Sequence, residues 1–458
     1  MYCHHKHGRN IPSGQFGLLT RLQDYKMKNF IDIGLPTEIV DALAQMNVTA
    51  PTEIQAQAIP LALGGHDILA SSQTGSGKTL AYLLPTISAI LKSGGKALIL
   101  TPTRELTLQV CETLNKMSRK VAVSGAAIIG GESFFKQTIK LKAKPNFIVG
   151  TPGRMIDHLT RKTIKLEDFR FLILDEMDSM LDMGMKKQLD QILNYMPKER
   201  QVLMFSATVP GHILEISRKY LNNPQRITIG STTKPAPEVE QQFLKISQGD
   251  KYKELGNQLI SKEGTAIVFV TTKRGADKLT GKLRDDGHRV DVIHGGLNQH
   301  KRSKVIAGFR AEKTRVLVAT DVAARGLDVN HIKLVFNYDL PMSAEDYLHR
   351  IGRTGRAGAK GHAISFVSPE DNSKMRAIEK LINKGESTPR ESFKKKGGRH
   401  ADRRNDFRKG AAESRDGKQK RYGKKFSSHK KFGEKQDVGQ ESYFPKKRNK
   451  SRSRSRAA

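Results

Sequence analysis

An α/β fold of two parallel-sheet domains in tandem follows from three observations on this 458-residue chain. Short β-rich apolar runs alternate with helical patterns, the runs lack the polar alternation of half-exposed strands, and a proline-bearing stretch without apolar period divides the series. In the first half, Ala97–Thr101, Asn146–Gly150, Phe171–Leu174 and Val202–Phe205 read as buried parallel strands joined by helices. The divider, Ser231 to Pro237, holds two prolines. Strand signals then resume at Thr265–Val270, Val290–Ile293, Arg315–Ala319, Lys333–Asn337 and Ala363–Val367. The first domain is therefore expected over residues 27–229, the linker over 230–238 and the second domain over 239–384.

Composition narrows the partners. Lys+Arg 80 against Asp+Glu 46 leaves a net charge of +34, which points to a polyanion. Residues 385–458 carry 25 Lys/Arg and 9 Asp/Glu, and Val438 is their only aliphatic side chain larger than alanine. Such a segment cannot bury enough apolar surface to offset the entropy of ordering, so a disordered basic tail is expected. Two cysteines, Cys3 and Cys111, exclude a disulfide framework and suit a reducing compartment. The longest apolar stretch, Leu80–Leu91, contains Pro85 and falls short of the roughly 18 residues a bilayer demands. With no secretory signal at the start, a cytoplasmic location and no membrane partner are expected. Residues 1–26 read as a disordered leader, solvated or untranslated, with Met27 as the alternative start. The cluster Cys3, His4, His5 and His7 lacks a second ligand pair at metal-site spacing.

Two motifs carry chemistry. Ser72-Gln73-Thr74-Gly75-Ser76-Gly77-Lys78-Thr79 follows an apolar run and opens a helical pattern, the context a phosphate loop requires. Gly75 and Gly77 let backbone N–H groups close on phosphate oxygens, Lys78 reaches the β- and γ-phosphates of ATP, and the Thr79 hydroxyl ligates Mg²⁺. Ser72 stands where the general pattern has its first glycine. Further on, the Phe171–Leu174 strand runs into Asp175-Glu176-Met177-Asp178. Acids at a strand's carboxyl end face the ligand crevice of an open α/β sheet, so Asp175 is the second candidate Mg²⁺ ligand and Glu176 the candidate base.

With these in place, the chain from about Phe30 to about Val367 resembles the DEAD-box ATP-dependent RNA helicases, motif after motif, in the short bacterial form with a basic extension. The resemblance implies two RecA-like domains. It implies that Gln55 of Ala50-Pro51-Thr52-Glu53-Ile54-Gln55 reads the adenine edge and that Phe30 stacks on the ring. The usual Gly-Phe before that string is Asn47-Val48 here, a mild change because asparagine tolerates left-handed backbone. Pro102, Thr103, Arg104, Gly130, Gly131, Thr151, Pro152, Gly153 and Arg154 of the first domain would grip RNA phosphates, with Gly295, Gln299, Arg302 and Thr320 of the second. Asp178, Ser206 and Thr208 would couple the ATP site to unwinding. Asp328 would contact the ribose, and Arg353 and Arg356 would be arginine fingers. The tetrad departs from the family pattern at Met177, a larger side chain than the usual alanine and one expected beside the acids. The resemblance also makes ribosome assembly or RNA turnover the expected setting.

Three functions are compatible with these residues. The leading one is an RNA-stimulated ATPase that unwinds or remodels RNA. The others are an ATP-switched RNA clamp whose Met177 has cost it hydrolysis, and a DNA-directed helicase of the wider two-domain class. The tail, with Phe393, Phe407, Tyr422, Phe426, Phe432, Tyr443 and Phe444 among its lysines and arginines, is expected to tether RNA.

Overall fold

The computed structural model describes residues 29–73, 75–230, 238–327, 329, 331–355 and 359–383. The leader, the linker stretch 231–237, the tail from 384, and Thr74, Asp328 and Arg356 lie outside the described residues. Two parallel sheets form the frame, as the apolar runs predict. In chain order the first sheet contains β1 (Ile68–Ser72), β2 (Lys96–Leu100), β3 (Gly125–Ile128), β4 (Phe147–Gly150), β5 (Phe169–Leu174), β6 (Gln201–Ser206) and β7 (Gln225–Ile229). The second contains β8 (Val239–Lys245), β9 (Thr265–Phe269), β10 (Val290–Ile293), β11 (Val316–Ala319), β12 (Ile332–Asn337) and β13 (Gly361–Val367).

The spatial orders are β3-β4-β2-β5-β6-β1-β7 and β10-β11-β9-β12-β13-β8. Both faces of each sheet are covered, and the inner strands β1 and β9 are buried along their whole length. That double burial is why they read as unbroken apolar runs. Of the four edge strands only β10 was legible as a run in the sequence. β3, β7 and β8 are Gly-Ala-Ala-Ile, Gln-Arg-Ile-Thr-Ile and Val-Glu-Gln-Gln-Phe-Leu-Lys, each with solvent-facing positions.

The helix after the phosphate loop runs from Lys78 to Ser93 and keeps Pro85 inside it. Proline removes the ladder donor to the Ala81 carbonyl, and in the next position the Thr86 hydroxyl donates to the Tyr82 carbonyl at 2.7 Å. Cys111 is buried on the Arg104–Met117 helix, and that burial pushes its thiol up to about 12. Asn47 adopts φ 56°, the left-handed conformation that its replacement of glycine requires.

Candidate functional site

The strand order of the first sheet sorts its carboxyl edge into halves. β5, β6 and β1 are neighbours and end in Asp175, Ser206 and the phosphate loop. β3, β4 and β2 form the other half and end in the segments of Gly130, Thr151 and Pro102. Nucleotide and RNA candidates thus share one rigid edge, side by side.

Within the nucleotide half, Gly75 and Gly77 take φ 84° and 96°, so both glycines serve the backbone path. A Cβ on Gly77 would lie 2.5 Å from Nε2 of Gln55. The Lys78 ammonium is buried and donates to the Ser72 carbonyl at 2.7 Å, and the hydroxyls of Ser72 and Ser76 are 2.8 Å apart. Thr79 and Tyr82 occupy the next turn, where Tyr82 donates to Oδ2 of Asp175 at 2.9 Å. Burial pushes Asp175 up to about 6, against the lowering effect of Lys78. Glu176 opens a short helix in left-handed backbone, φ 50° and ψ 54°, and its Oε2 is buried without a hydrogen-bond partner. A buried acid with a raised pKa beside a buried, unpartnered carboxylate oxygen and a threonine hydroxyl is a hard-oxygen donor set, which fits Mg²⁺.

Asp178 is a hub. Its Oδ2 accepts from the backbone N–H groups of Ala207 and Thr208, each at 2.9 Å, and from the Thr208 hydroxyl at 3.3 Å, while its own N–H donates to Oγ of Ser206 at 3.3 Å. His349 of the second lobe sits with Nε2 3.6 Å from the same oxygen. Burial disfavours the charge on Asp178, but pairing with His349 and the Thr208 N–H outweighs it and holds the carboxyl below its ordinary range.

The RNA half is equally ordered. Thr103 caps its helix by accepting from Leu106 N–H at 3.2 Å, behind the buried Pro102. Arg104 lies against Gly130 and Gly131, where a Cβ on Gly131 would fall 2.2 Å from Nη1. Arg154 donates to the carbonyls of Ile129, at 3.1 Å, and Glu132, next to Thr151, Pro152 and Gly153 at its helix start. In the second lobe Gly295 is exposed after β10, and Thr320 precedes the helix that follows β11.

Several candidate residues are engaged within the protein. Phe30 is 1% exposed and packs in a hydrophobic cluster of the first lobe. Gln55 is committed internally, accepting from Thr52 N–H and donating to the Gly77 carbonyl, both at 3.0 Å, so it braces the phosphate loop. Gln299 and Arg302 meet the first lobe. Arg302 forms a buried pair with Glu105 of the first lobe, Nη2 to Oε2 at 2.7 Å and Nε to Oε1 at 2.8 Å, and Gln299 accepts from Arg104 at 3.3 Å. Met177 is fully buried in the core cluster that includes Leu174 and Met180, so the larger side chain is absorbed by packing.

Residues the sequence did not single out complete the seam. Glu105 and His349 were visible only as members of longer strings. Asp182 pairs with Arg325 of the second lobe at 3.2 Å. Gly326, at φ 74°, presses so near the first lobe that a Cβ would lie 2.5 Å from Oγ1 of Thr103. Arg353 is buried in the second lobe, donating from Nη1 to the Leu327 carbonyl at 2.8 Å. The Asp182–Arg325 and Glu105–Arg302 pairs across the seam join residues 143 and 197 apart in sequence, and an acid or a base read alone gives no sign of its partner.

A phosphate loop and acidic strand end on one parallel-sheet lobe, closed by a basic second lobe, define a two-lobed P-loop nucleoside triphosphatase. Comparison with known proteins narrows this. Residues 52–216 match the DEAD/DEAH box helicase family model, and residues 250–358 match the helicase conserved C-terminal domain. The chain is 43% identical over 361 residues to the ATP-dependent RNA helicase CshA of Listeria monocytogenes, spanning 78% of this chain and 69% of that protein. It is 43% identical over 356 residues to the RNA helicase CrhR of Synechocystis, spanning 77% and 72%. The solved structure of S. cerevisiae Dbp5 bound to RNA and ADP BeF3 superposes with a TM-score of 0.72 at 33% identity, over 78% of this chain and 94% of that one. The chain belongs to the DEAD-box family of ATP-dependent RNA helicases.

Proposed function

We propose that this chain couples RNA-stimulated ATP hydrolysis to local opening of RNA duplexes, using the residues assembled at the first sheet's carboxyl edge and along the seam. The observation that carries the reading is Asp178, bonded at once to Ser206 and Thr208 beside the phosphate loop and paired with His349 of the other lobe. One carboxylate thereby ties the state of the ATP site to lobe contact. Lys78 turns from the loop carbonyls to the β- and γ-phosphates, Glu176 orients and deprotonates the attacking water, and Arg353 with Arg356 stabilises charge at the γ-phosphate. Asp175 and Thr79 would hold Mg²⁺, which supplies charge neutralisation on the phosphates. Arg104, Gly130, Gly131, Thr151 and Arg154 would hold the RNA backbone without reading bases. The test is phosphate release by the full chain with and without single-stranded RNA. Stimulation by RNA and not by DNA is expected, and release indifferent to RNA would refute the reading.

Two further outcomes follow from the same site. Because burial holds the neutral form of Asp175 up to about pH 6, the cation must displace a proton below that value. The dissociation constant for Mg·ATP should therefore rise by up to about tenfold per pH unit below 6 and stay flat above 7. Titration with a fluorescent ATP analogue checks this, and a flat profile from pH 5 to 8 would remove Asp175 from the ligand set. The tail reading is tested by deleting residues 385–458, which should raise the RNA concentration for half-maximal ATPase by about tenfold with little change in saturated turnover. A cytoplasmic setting and a part in ribosome assembly belong to this proposal, and cell fractionation with ribosome-profile analysis tests both. Among the described residues no helix is long and apolar enough to cross a membrane.

A further inference from the structure

The Phe134–Lys142 helix displays two large apolar side chains to solvent in consecutive turns, Phe135 at 73% and Ile139 at 52% exposure. Its other face is anchored. Gln137 and Leu141 are buried, and Gln137 donates to the Ile129 carbonyl at 2.8 Å. The Phe134 ring stacks on His158 with centroids 4.1 Å apart and planes within 9°, and the guanidiniums of Arg154 and Arg161 lie 5.5 and 4.5 Å from its centroid. The helix cannot roll to hide Phe135 without breaking that stack. Lys136 and Lys140, also exposed, form a second row beside Phe135 and Ile139 at the same four-residue spacing.

Exposed apolar pairs of this size call for an occupant. Parallel rows of apolar and cationic side chains match the two sides of an unpaired nucleic acid strand, bases on one and phosphates on the other. Position selects the same partner. The helix begins three residues after Gly131, at the carboxyl end of β3, the outermost strand of the RNA half. A strand held at Gly130, Gly131 and Arg154 that runs off the lobe on this side meets Phe135 next.

We propose that Phe135 and Ile139 form a nucleobase platform, flanked by Lys136 and Lys140, that takes up unpaired RNA bases adjoining the backbone-held segment. The proposal rests on the RNA-binding reading above and adds base contacts to a grip otherwise made through phosphates. It makes this lobe favour RNA with unpaired flanks.

The chain contains no tryptophan, so Phe135→Trp places a single indole on the platform. Its emission in the full-length protein should be quenched by single-stranded RNA and not by a strand of equal length with abasic residues at both ends. In parallel, Phe135→Ala should erase the preference of the ATPase for the natural strand over the abasic-ended one, by raising half-saturation for the natural strand about fivefold or more. Phe135 is exposed, so its replacement should leave the melting temperature in place. Equal response to the two strands in the parent protein, or an indole indifferent to both, would overturn the platform and assign the face to a protein partner. A parent chain that RNA fails to stimulate at all would instead overturn the functional reading, and the platform with it.

Discussion

Replacing Glu176 with glutamine should lower RNA-stimulated phosphate release by about 10²- to 10⁴-fold, the usual contribution of a positioned general base. The amide keeps the size and hydrogen-bonding reach of the acid but takes no proton. Glutamine inherits the same left-handed backbone at φ 50°, so the conformational strain is unchanged and the melting temperature should not move. ATP-dependent RNA binding should survive, since Lys78 and the seam are untouched. Release within a few fold of the parent would show that another group activates the water. Met177 separates the clamp alternative. Its side chain fills core space, so Met177→Ala opens a cavity and should cost about 2–5 kcal/mol in unfolding free energy. A gain in turnover from that substitution would establish that methionine had slowed the enzyme.

Breaking the Glu105–Arg302 pair should have the second largest effect. Both side chains are buried at the seam, 8% exposed for Arg302 and 5% for Glu105. Removing one partner of a buried pair costs about 3–5 kcal/mol, because the remaining charge is left without compensation. Parting the lobes returns that charge to water, so the cost falls on lobe association and not on the folding of either lobe. Arg302→Met should reduce ATPase at sub-saturating RNA by about 10²-fold or more and raise the radius of gyration in scattering with ATP and RNA present. Glu105→Gln combined with Arg302→Met should recover part of the loss, since neither charge is then stranded. A double variant no better than the single one would show that the pair does not govern the seam.

Legibility followed burial. β5, β6 and β9, covered on both faces, announced themselves as apolar runs, whereas β7 and β8 at the edges mix polar and apolar residues and β3 is a short Gly-Ala-Ala-Ile with little apolar bulk. The phosphate loop and the acids after β5 were equally plain, because strand, loop and helix are contiguous in sequence and their chemistry is local. Cross-lobe partners were not. Arg302 read as an RNA-phosphate contact, and only three-dimensional proximity reveals its pairing with Glu105. Gln55 and Phe30 make a related point. A motif names a residue type, but whether its polar atoms or its ring remain available depends on neighbours such as Gly77 and the first-lobe core.

Gly326 gives the seam a mechanical character. With backbone seated where even a methyl group would strike Thr103 and Leu106, the lobes meet here without room for a side chain between them. Half-engaged positions would leave Glu105, Asp182 and Asp178 facing the wrong partners. The joint is keyed, and its tolerance at this point is less than the width of one added carbon atom.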